Sequence, residues 1–335
     1  MKKLKMALVG AGIIGQVHAV ALHENMFVDF AAVVDIKKEA ATELASLYGI
    51  PAYTSIEACL ANEKIDAYDI CVNEAYHVQP TISALQAKKH VLLEKPIAKT
   101  LKEAQIIKDA ATQNGVRLMI AHLLHFDARY GMLLDAVSSG QLGDISSVYV
   151  KRCNTQATCR RIGRKVSFMY YLGVHDIEIM CACAAGRPRK VYAQFPNKIC
   201  CDYGDDDGVF AIVNFDNGVV GCVEIDWSYQ ESMPMPVWSY ARVSGTKGSG
   251  VVEADRQGLT MNTGNSFTYP DTMLAPTVNG AMHGAMVLQI DHFVQSVLNQ
   301  TPFAVNLETP IDAVRIIEAC FESRKTGLPV EVTLY

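Results

Sequence analysis

Residues 7–16, ALVGAGIIGQ, hold three glycines in the spacing G-x-G-x-x-G. An apolar run of the buried-strand type precedes them, and apolar residues at helical spacing follow, so the glycines lie at a strand-to-helix junction. There Gly10 permits a tight turn, Gly12 lets a pyrophosphate approach the backbone, and Gly15 lets the helix pack close to the strand. The stretch therefore predicts a dinucleotide-binding turn, with a small-residue crossing between strand and helix as the alternative.

A carboxylate follows the next apolar run, residues 28–34. Asp35 comes twenty residues after Gly15 and is followed by isoleucine rather than arginine. A carboxylate at this place accepts hydrogen bonds from the ribose hydroxyls of an adenosine and repels a 2′-phosphate, so Asp35 favours NAD over NADP. Ile13 and Ile14 open the helix whose free N–H groups would face the phosphates, and we expect both beside the cofactor.

The sequence pattern changes near residue 122. Before it, apolar runs alternate with helical stretches, which predicts parallel crossovers in an open, doubly wound sheet. From about residue 145 the strand-like runs follow one another, which predicts a large, mostly antiparallel sheet. We therefore expect an α/β chain with a Rossmann NAD-binding domain in residues 1–122 and an α+β domain for substrate binding and oligomerisation in residues 123–335.

Composition restricts the class of protein. The 335 residues have a net charge of -5, which does not suit a nucleic-acid partner. No apolar run reaches the roughly 18 residues of a membrane span, and we expect neither a membrane anchor nor a signal peptide. None of the ten cysteines has C-x-x-C spacing, which indicates thiols in a reducing compartment rather than zinc ligands. We expect a cytoplasmic protein without a metal, and we interpret the acidic stretch 201–209, CDYGDDDGV, as a solvated turn.

A second motif lies in residues 90–100, HVLLEKPIAKT. Glu94, Lys95 and Pro96 follow an apolar run at the end of the fifth predicted strand, where ligands of doubly wound sheets bind. A lysine there can hydrogen-bond a substrate hydroxyl and stabilise the developing alkoxide, while the proline fixes the backbone. A surface lysine before a loop proline is the alternative, but the glycine motif upstream favours a catalytic Lys95.

The two motifs together resemble the glucose-fructose oxidoreductase, inositol dehydrogenase and rhizopine catabolism (Gfo/Idh/MocA) family. The likeness covers nearly the whole chain and includes residues 70–96, 215–227, 244–250 and 307–332. It implies NAD-dependent oxidation of a CH–OH group, and cofactor contacts from Asn73, His77, Glu94, Lys95 and His122. Asn73 replaces the proline that is common four residues before the histidine in relatives.

The family's third motif, D-x-x-x-H, is only half present in residues 170–180, YYLGVHDIEIM. The resemblance makes His175 the general acid/base, a task that suits an imidazole because it titrates near neutral pH. Tyr171 stands where the family usually has aspartate. It should share a helix face with His175 and can contact a substrate, but it supplies no carboxylate. A satisfied core histidine is the alternative for His175.

We expect further substrate contacts from residues that follow the last Rossmann strand. His122 and His125 follow the last Rossmann strand, where the family contacts nicotinamide and substrate. Asn154, Arg161 and Arg164 lie in a polar stretch before His175. The two arginines can hold a phosphate or carboxylate, or can be solvated loop charges.

These observations predict an NAD-dependent dehydrogenase acting on a secondary alcohol of a sugar, glycoside or cyclitol. The stretches 125–130 and 171–178 look most like members that oxidise a pyranose at its third carbon. The alternatives are an inositol 2-dehydrogenase and, from another class, a non-catalytic NAD(H)-binding sensor. The apolar antiparallel strands also predict a homodimer or homotetramer.

Overall fold

The computed structural model describes residues 2–163, 165–254, 258–264 and 266–332. The chain forms two compact units. The first unit contains the chain up to Phe126 together with Met273–Ile311, and the second contains Asp127–Thr272 together with the chain from Asp312.

The first unit begins with alternating strands and helices. They are β1 Leu4–Val9, α1 Ile13–Glu24, β2 Val28–Val34, α2 Lys38–Tyr48, β3 Ala52–Tyr53, α3 Ile56–Asn62, β4 Ala67–Ile70, α4 Val78–Gln86, β5 His90–Glu94, α5 Leu101–Asn114 and β6 Leu118–Ala121. The strands form one parallel sheet in the order β3-β2-β1-β4-β5-β6. The order reverses between β1 and β4, as in dinucleotide-binding sheets, which confirms the predicted Rossmann fold.

Local sequence explains where the helices begin and end. At α5, Thr100 Oγ1 accepts a hydrogen bond from Glu103 N, and Glu103 Oε2 accepts one from Thr100 N, which is a capping box. Gly115 then ends α5 in the left-handed region (φ 64°). By contrast, no side chain caps the N-terminus of α1.

The remaining elements complete the chain. They are α6 Ala128–Ser138, β7 Ile145–Thr155, α7 Gln156–Ile162, α8 Val174–Ala184, β8 Pro188–Gln194, β9 Gly208–Phe215, β10 Val220–Tyr229, β11 Val237–Gly245, β12 Ser249–Glu253, β13 Met261–Thr263, β14 Ser266–Thr268, β15 Thr277–Val278, β16 Ala281–Met282, α9 Ala285–Asn299, α10 Glu308–Thr326 and β17 Val330–Glu331. Among the helices of the described ranges, none combines the length and hydropathy that crossing a bilayer requires.

The second unit is built on a seven-stranded sheet in the order β12-β11-β7-β10-β9-β8-β17. Only β7 and β10 pair in parallel; the other neighbours are antiparallel, which confirms the predicted mostly antiparallel sheet. Along β9, Val209, Ala211 and Val213 are buried, whereas Phe210 and Ile212 are exposed. The alternation shows that one face of β9 belongs to the core of this unit.

The division of the chain differs from the predicted two continuous domains. The helix α9 packs with α1 in the first unit, because Met286, Ile290, Phe293 and Val294 are buried in the same apolar core as the parallel sheet. The first unit therefore contains α9 although this helix is far from the other elements of that unit in sequence.

The solvated turn that we predicted for residues 201–209 is wrong. Asp206 and Asp207 are only 1% and 4% exposed. Asp207 accepts hydrogen bonds from three consecutive backbone N–H groups, beginning with Lys198 N at 2.7 Å, and Asp206 pairs with Arg324. These two carboxylates are thus hydrogen-bonded and paired within the second unit rather than solvated.

Candidate active site

The three glycines of the motif have different surroundings. Gly10 has φ 105°, and a Cβ placed on it would lie 2.6 Å from the carbonyl oxygen of Cys71. A Cβ on Gly15 would lie 1.9 Å from the carbonyl oxygen of Gly10, so α1 packs directly against the turn. A Cβ on Gly12 would meet nothing within 4 Å. Two glycines are thus required by the chain's own packing, while Gly12 faces open space of the kind that a pyrophosphate needs.

The surroundings of the turn fit a dinucleotide. The N-terminus of α1 has no capping side chain, which leaves its first N–H groups for an anion. Asp35, directly after β2, accepts hydrogen bonds from Ala11 N and Lys37 N, both at 2.8 Å. Its carboxylate is therefore held against the glycine turn, where a ribose would lie. Ile13 and Ile14 remain 71% and 46% exposed beside it.

Lys95 lies at the end of β5, and the Lys95–Pro96 peptide bond is cis. The Oε2 atom of Glu94 accepts a hydrogen bond from Lys95 N at 3.1 Å. Glu94 itself is buried, and its other oxygen, Oε1, lies 3.3 Å from His18 Nε2. Glu94 thus holds the backbone of Lys95, and its direct contact with the cofactor stays a prediction.

His77 also has a structural environment. Its ring is 1% exposed, with Nδ1 2.8 Å from the carbonyl oxygen of Pro96 and Nε2 3.1 Å from that of Val72. Both ring nitrogens face backbone carbonyls, so the ring joins the loops after β4 and β5, and the cofactor contact of His77 stays a prediction. Asn73 is exposed nearby, and its side-chain oxygen accepts a hydrogen bond from Ala75 N at 3.1 Å.

His122 directly follows β6 and is buried, and His125 lies in the 3₁₀-helix Leu123–Phe126. The carboxyl ends of parallel strands meet at one edge of a sheet. The structure therefore brings the glycine turn, Asp35, Lys95 and His122 to the same edge of the first unit.

In the second unit, His175 lies in the first turn of α8, directly after a π-helical turn, Met169–Gly173, that holds Tyr171. Single π-helical turns are frequent at functional sites. Arg161 Nη2 lies 3.4 Å from Tyr171 Oη. The structure therefore brings together two of the residues that we predicted to contact the substrate. Both His175 and Tyr171 are half-buried.

Asp176 is turned into the interior beside His175. It is inaccessible to solvent, and Arg152 of β7 donates to its two oxygens at 2.5 and 3.3 Å. Burial raises the pKa of Asp176, although Arg152 opposes this shift. The ion pair thus anchors the start of α8.

The two remaining substrate candidates differ in what can be described. Asn154 is buried, and its side-chain oxygen accepts hydrogen bonds from Thr155 N and Thr158 Oγ1 at the start of α7. Its place in substrate binding stays a prediction. Arg164 lies outside the described residues.

Sequence reasoning missed His18 and Asp69. The two side chains are completely buried, with His18 Nδ1 2.8 Å from Asp69 Oδ2. A signal was present, because both are polar residues at positions that the apolar pattern of α1 and β4 turns inward.

The parallel sheet, the open glycine turn and the carboxylate after β2 define a dinucleotide-binding Rossmann protein with a lysine at its ligand edge. Residues 4–122 match the family description "Oxidoreductase family, NAD-binding Rossmann fold", and residues 135–332 match "Oxidoreductase family, C-terminal alpha/beta domain". The chain belongs to the Gfo/Idh/MocA family of oxidoreductases, and its cofactor is NAD.

The similarity to named relatives covers nearly the whole chain. A D-xylose 1-dehydrogenase (NADP(+)) of Haloferax volcanii is 26% identical, with 98% of each chain covered. A scyllo-inositol 2-dehydrogenase (NAD(+)) of Bacillus subtilis is 24% identical, covering 98% of this chain and 96% of the relative. The crystal structure of scyllo-inositol dehydrogenase from Lactobacillus casei, with NAD(H) and scyllo-inositol, has a TM-score of 0.84 at 18% identity and covers 98% of this chain and 99% of that one, which shows a shared fold.

Proposed function

We propose that the protein oxidises a secondary hydroxyl of a sugar, glycoside or cyclitol with NAD as the hydride acceptor. The observation that carries this proposal is the meeting of Lys95 with the glycine turn and Asp35 at one edge of the parallel sheet. A cofactor site and a cationic hydrogen-bond donor that stabilises the developing alkoxide, both at the same edge, suit alcohol oxidation. The relatives named as xylose and inositol dehydrogenases support the substrate class.

The chain's own residues divide the work as follows. Gly12 and the N-terminus of α1 bind the pyrophosphate, and Asp35 binds the adenosine ribose. Bound NAD supplies the acceptor for the hydrogen on the reacting carbon. Lys95 donates a hydrogen bond to the reacting oxygen and stabilises its developing negative charge, and His175 accepts the hydroxyl proton.

Substrate selection falls to the second unit in this proposal. Tyr171 and Arg161, which contact each other, bind substrate hydroxyls or an acidic group, and the pyranose C3 position is the carbon that we propose to be oxidised. Inositol 2-dehydrogenase activity is the second candidate, because one relative is named a scyllo-inositol 2-dehydrogenase.

A substrate screen tests the function. NADH formation is followed with inositols, D-xylose, glucosides and nucleotide sugars, and each active sugar is repeated with deuterium at C3. Transfer of deuterium to the cofactor identifies C3 as the oxidised carbon, whereas formation of NADH without deuterium excludes C3. Lys95→Ala and His175→Ala should each lower kcat by about 100-fold or more. Tight NAD binding without turnover of any compound would instead support the sensor.

We also propose that the protein is a cytoplasmic homo-oligomer that pairs through the sheet of the second unit. All ten cysteines are thiols, as a reducing compartment favours. Phe210 and Ile212 are 53% and 41% exposed on the outer side of β9, and contiguous exposed apolar surface is typical of an interface. Phe210→Lys with Ile212→Lys should reduce the sedimenting mass to the 36.7 kDa of one chain, whereas Met132→Lys, at an exposed position of α6, should not. A wild-type monomer at micromolar concentration would contradict the pairing.

A further inference from the structure

A charged cluster lies behind the glycine turn of the first unit. His18 of α1 is inaccessible to solvent, with Nδ1 2.8 Å from Asp69 Oδ2 and Nε2 3.3 Å from Glu94 Oε1. Asp69 belongs to β4 and Glu94 ends β5. One buried ring therefore joins the helix that follows the glycine turn to the two neighbouring strands, one of which leads to Lys95.

The geometry sets the charge of the ring. His18 Nδ1 is hydrogen-bonded to Asp69, whereas Nε2 lies within ion-pair distance of Glu94 Oε1 without the alignment of a hydrogen bond. A protonated ring is therefore attracted to both carboxylates, whereas a neutral ring would leave them without a cation. Two buried carboxylates without a cation would be strongly unfavourable. Burial lowers the pKa of His18, but Asp69 and Cys71 outweigh it and raise the pKa well above its usual value. Burial raises the pKa of Glu94, yet its interaction with the nearby His18 ring brings the pKa below the usual range.

A metal site is the competing interpretation of the same atoms. Ligand atoms of His18, Asp69 and Cys71 lie within 4.8 Å of one another. However, the 2.8 Å between His18 and Asp69 is a hydrogen-bond length, and Cys71 Sγ donates to the other Asp69 oxygen at 3.4 Å. Burial also raises the pKa of the Cys71 thiol, which opposes the thiolate that a metal binds. The cluster is a hydrogen-bonded one.

The cluster extends to the backbone of Lys95. While Glu94 Oε1 faces His18, Glu94 Oε2 accepts the Lys95 N–H at 3.1 Å. The charges of Asp69, Glu94, protonated His18 and the Lys95 ammonium sum to zero. We propose that protonated His18 is a positioning residue, which holds the Glu94 carboxylate on the Lys95 N–H and so fixes Lys95 at the end of β5. The consequence for catalysis rests on the function proposed above.

The protonation state is tested without any substrate. Histidine labelled with nitrogen-15 in the full-length protein should show one imidazolium, protonated on both nitrogens, at about pH 8, where an ordinary histidine with a pKa of about 6.5 is neutral. This signal should disappear in His18→Gln and persist in His23→Gln, a change at the exposed end of the same helix. A neutral His18 at that pH would overturn the proposal.

The positioning role is tested by kinetics. His18→Gln should lower kcat by about 10- to 100-fold, the scale for partners that orient a functional group, with the Kd for NAD nearly unchanged. Adding Asp69→Asn removes the surplus negative charge and should restore part of kcat. A purely space-filling role predicts the opposite, a double variant worse than the single one.

The outcomes separate the two proposals. If His18→Gln turns over like the wild type, or if the double variant loses further activity, the positioning role is wrong. If His18→Gln does not fold, the wild-type nitrogen spectrum still decides the charge of the ring. If no compound is oxidised by the wild type, the proposed function fails while the spectroscopic result on His18 stands.

Discussion

Replacing Gly12 by alanine should separate cofactor binding from folding. The new methyl group would project into open space, since nothing lies within 4 Å of the place that its Cβ would take, and the backbone of Gly12 (φ -73°, ψ -173°) suits any residue. Alanine restricts the unfolded chain but is a poorer N-cap than glycine, and each effect is worth up to about 1 kcal/mol in opposite directions. The free energy of unfolding should therefore change by less than about 1 kcal/mol.

The same methyl group should weaken NAD binding. It occupies the space through which a pyrophosphate approaches the N–H groups of α1. Loss of one hydrogen bond to a charged group costs about 1.5–3 kcal/mol, which corresponds to a Kd raised about 10- to 150-fold.

Gly15→Ala is the matched comparison. Its Cβ would lie 1.9 Å from the carbonyl oxygen of Gly10, so the turn must shift, and overpacking of this kind costs about 1–3 kcal/mol of folding stability. Denaturant unfolding and a titration of NADH fluorescence measure both quantities for Gly12→Ala and Gly15→Ala. Wild-type affinity in Gly12→Ala, or wild-type stability in Gly15→Ala, would refute this account of the turn.

Three further outcomes follow from the site and the interior. Asp35→Ser with Ile36→Arg should shift preference from NAD toward NADP, because the change removes a repelling carboxylate and adds a phosphate partner; a wild type that already prefers NADP in kcat/KM would contradict the ribose role of Asp35. Tyr171→Phe should raise KM or reorder the substrates while kcat changes moderately, whereas a large loss of kcat with an altered pH profile would make Tyr171 a proton relay. Burial raises the pKa of Asp205 to about 6, so the folded state binds this proton more tightly than the unfolded chain, and its contribution to stability is present at low pH and is lost as the pH rises to about 6. In urea titrations, Asp205→Asn should lose less stability than the wild type over that range, and parallel curves would contradict the shift.

Several features were readable because they depend on local spacing. The glycines at 10, 12 and 15 and the carboxylate at 35 fit a fixed strand-turn-helix geometry, and the structure holds them as that geometry requires. The sequence also predicted that Tyr171 and His175 lie on a helix. It did not predict the π-helical turn at Tyr171, because a change of helical pitch depends on the packing around it.

By itself, the sequence determined the alternation of strands and helices, the dinucleotide turn and the NAD cofactor, since each follows from apolar period and from residues close in the chain. Only the tertiary structure decided that His18 meets a carboxylate 51 residues away, that Asp207 is buried, and that α9 packs with α1. These contacts follow from strand order and from which helix covers which face. A local pattern shows that a residue turns inward, but the folded chain alone determines what it meets there.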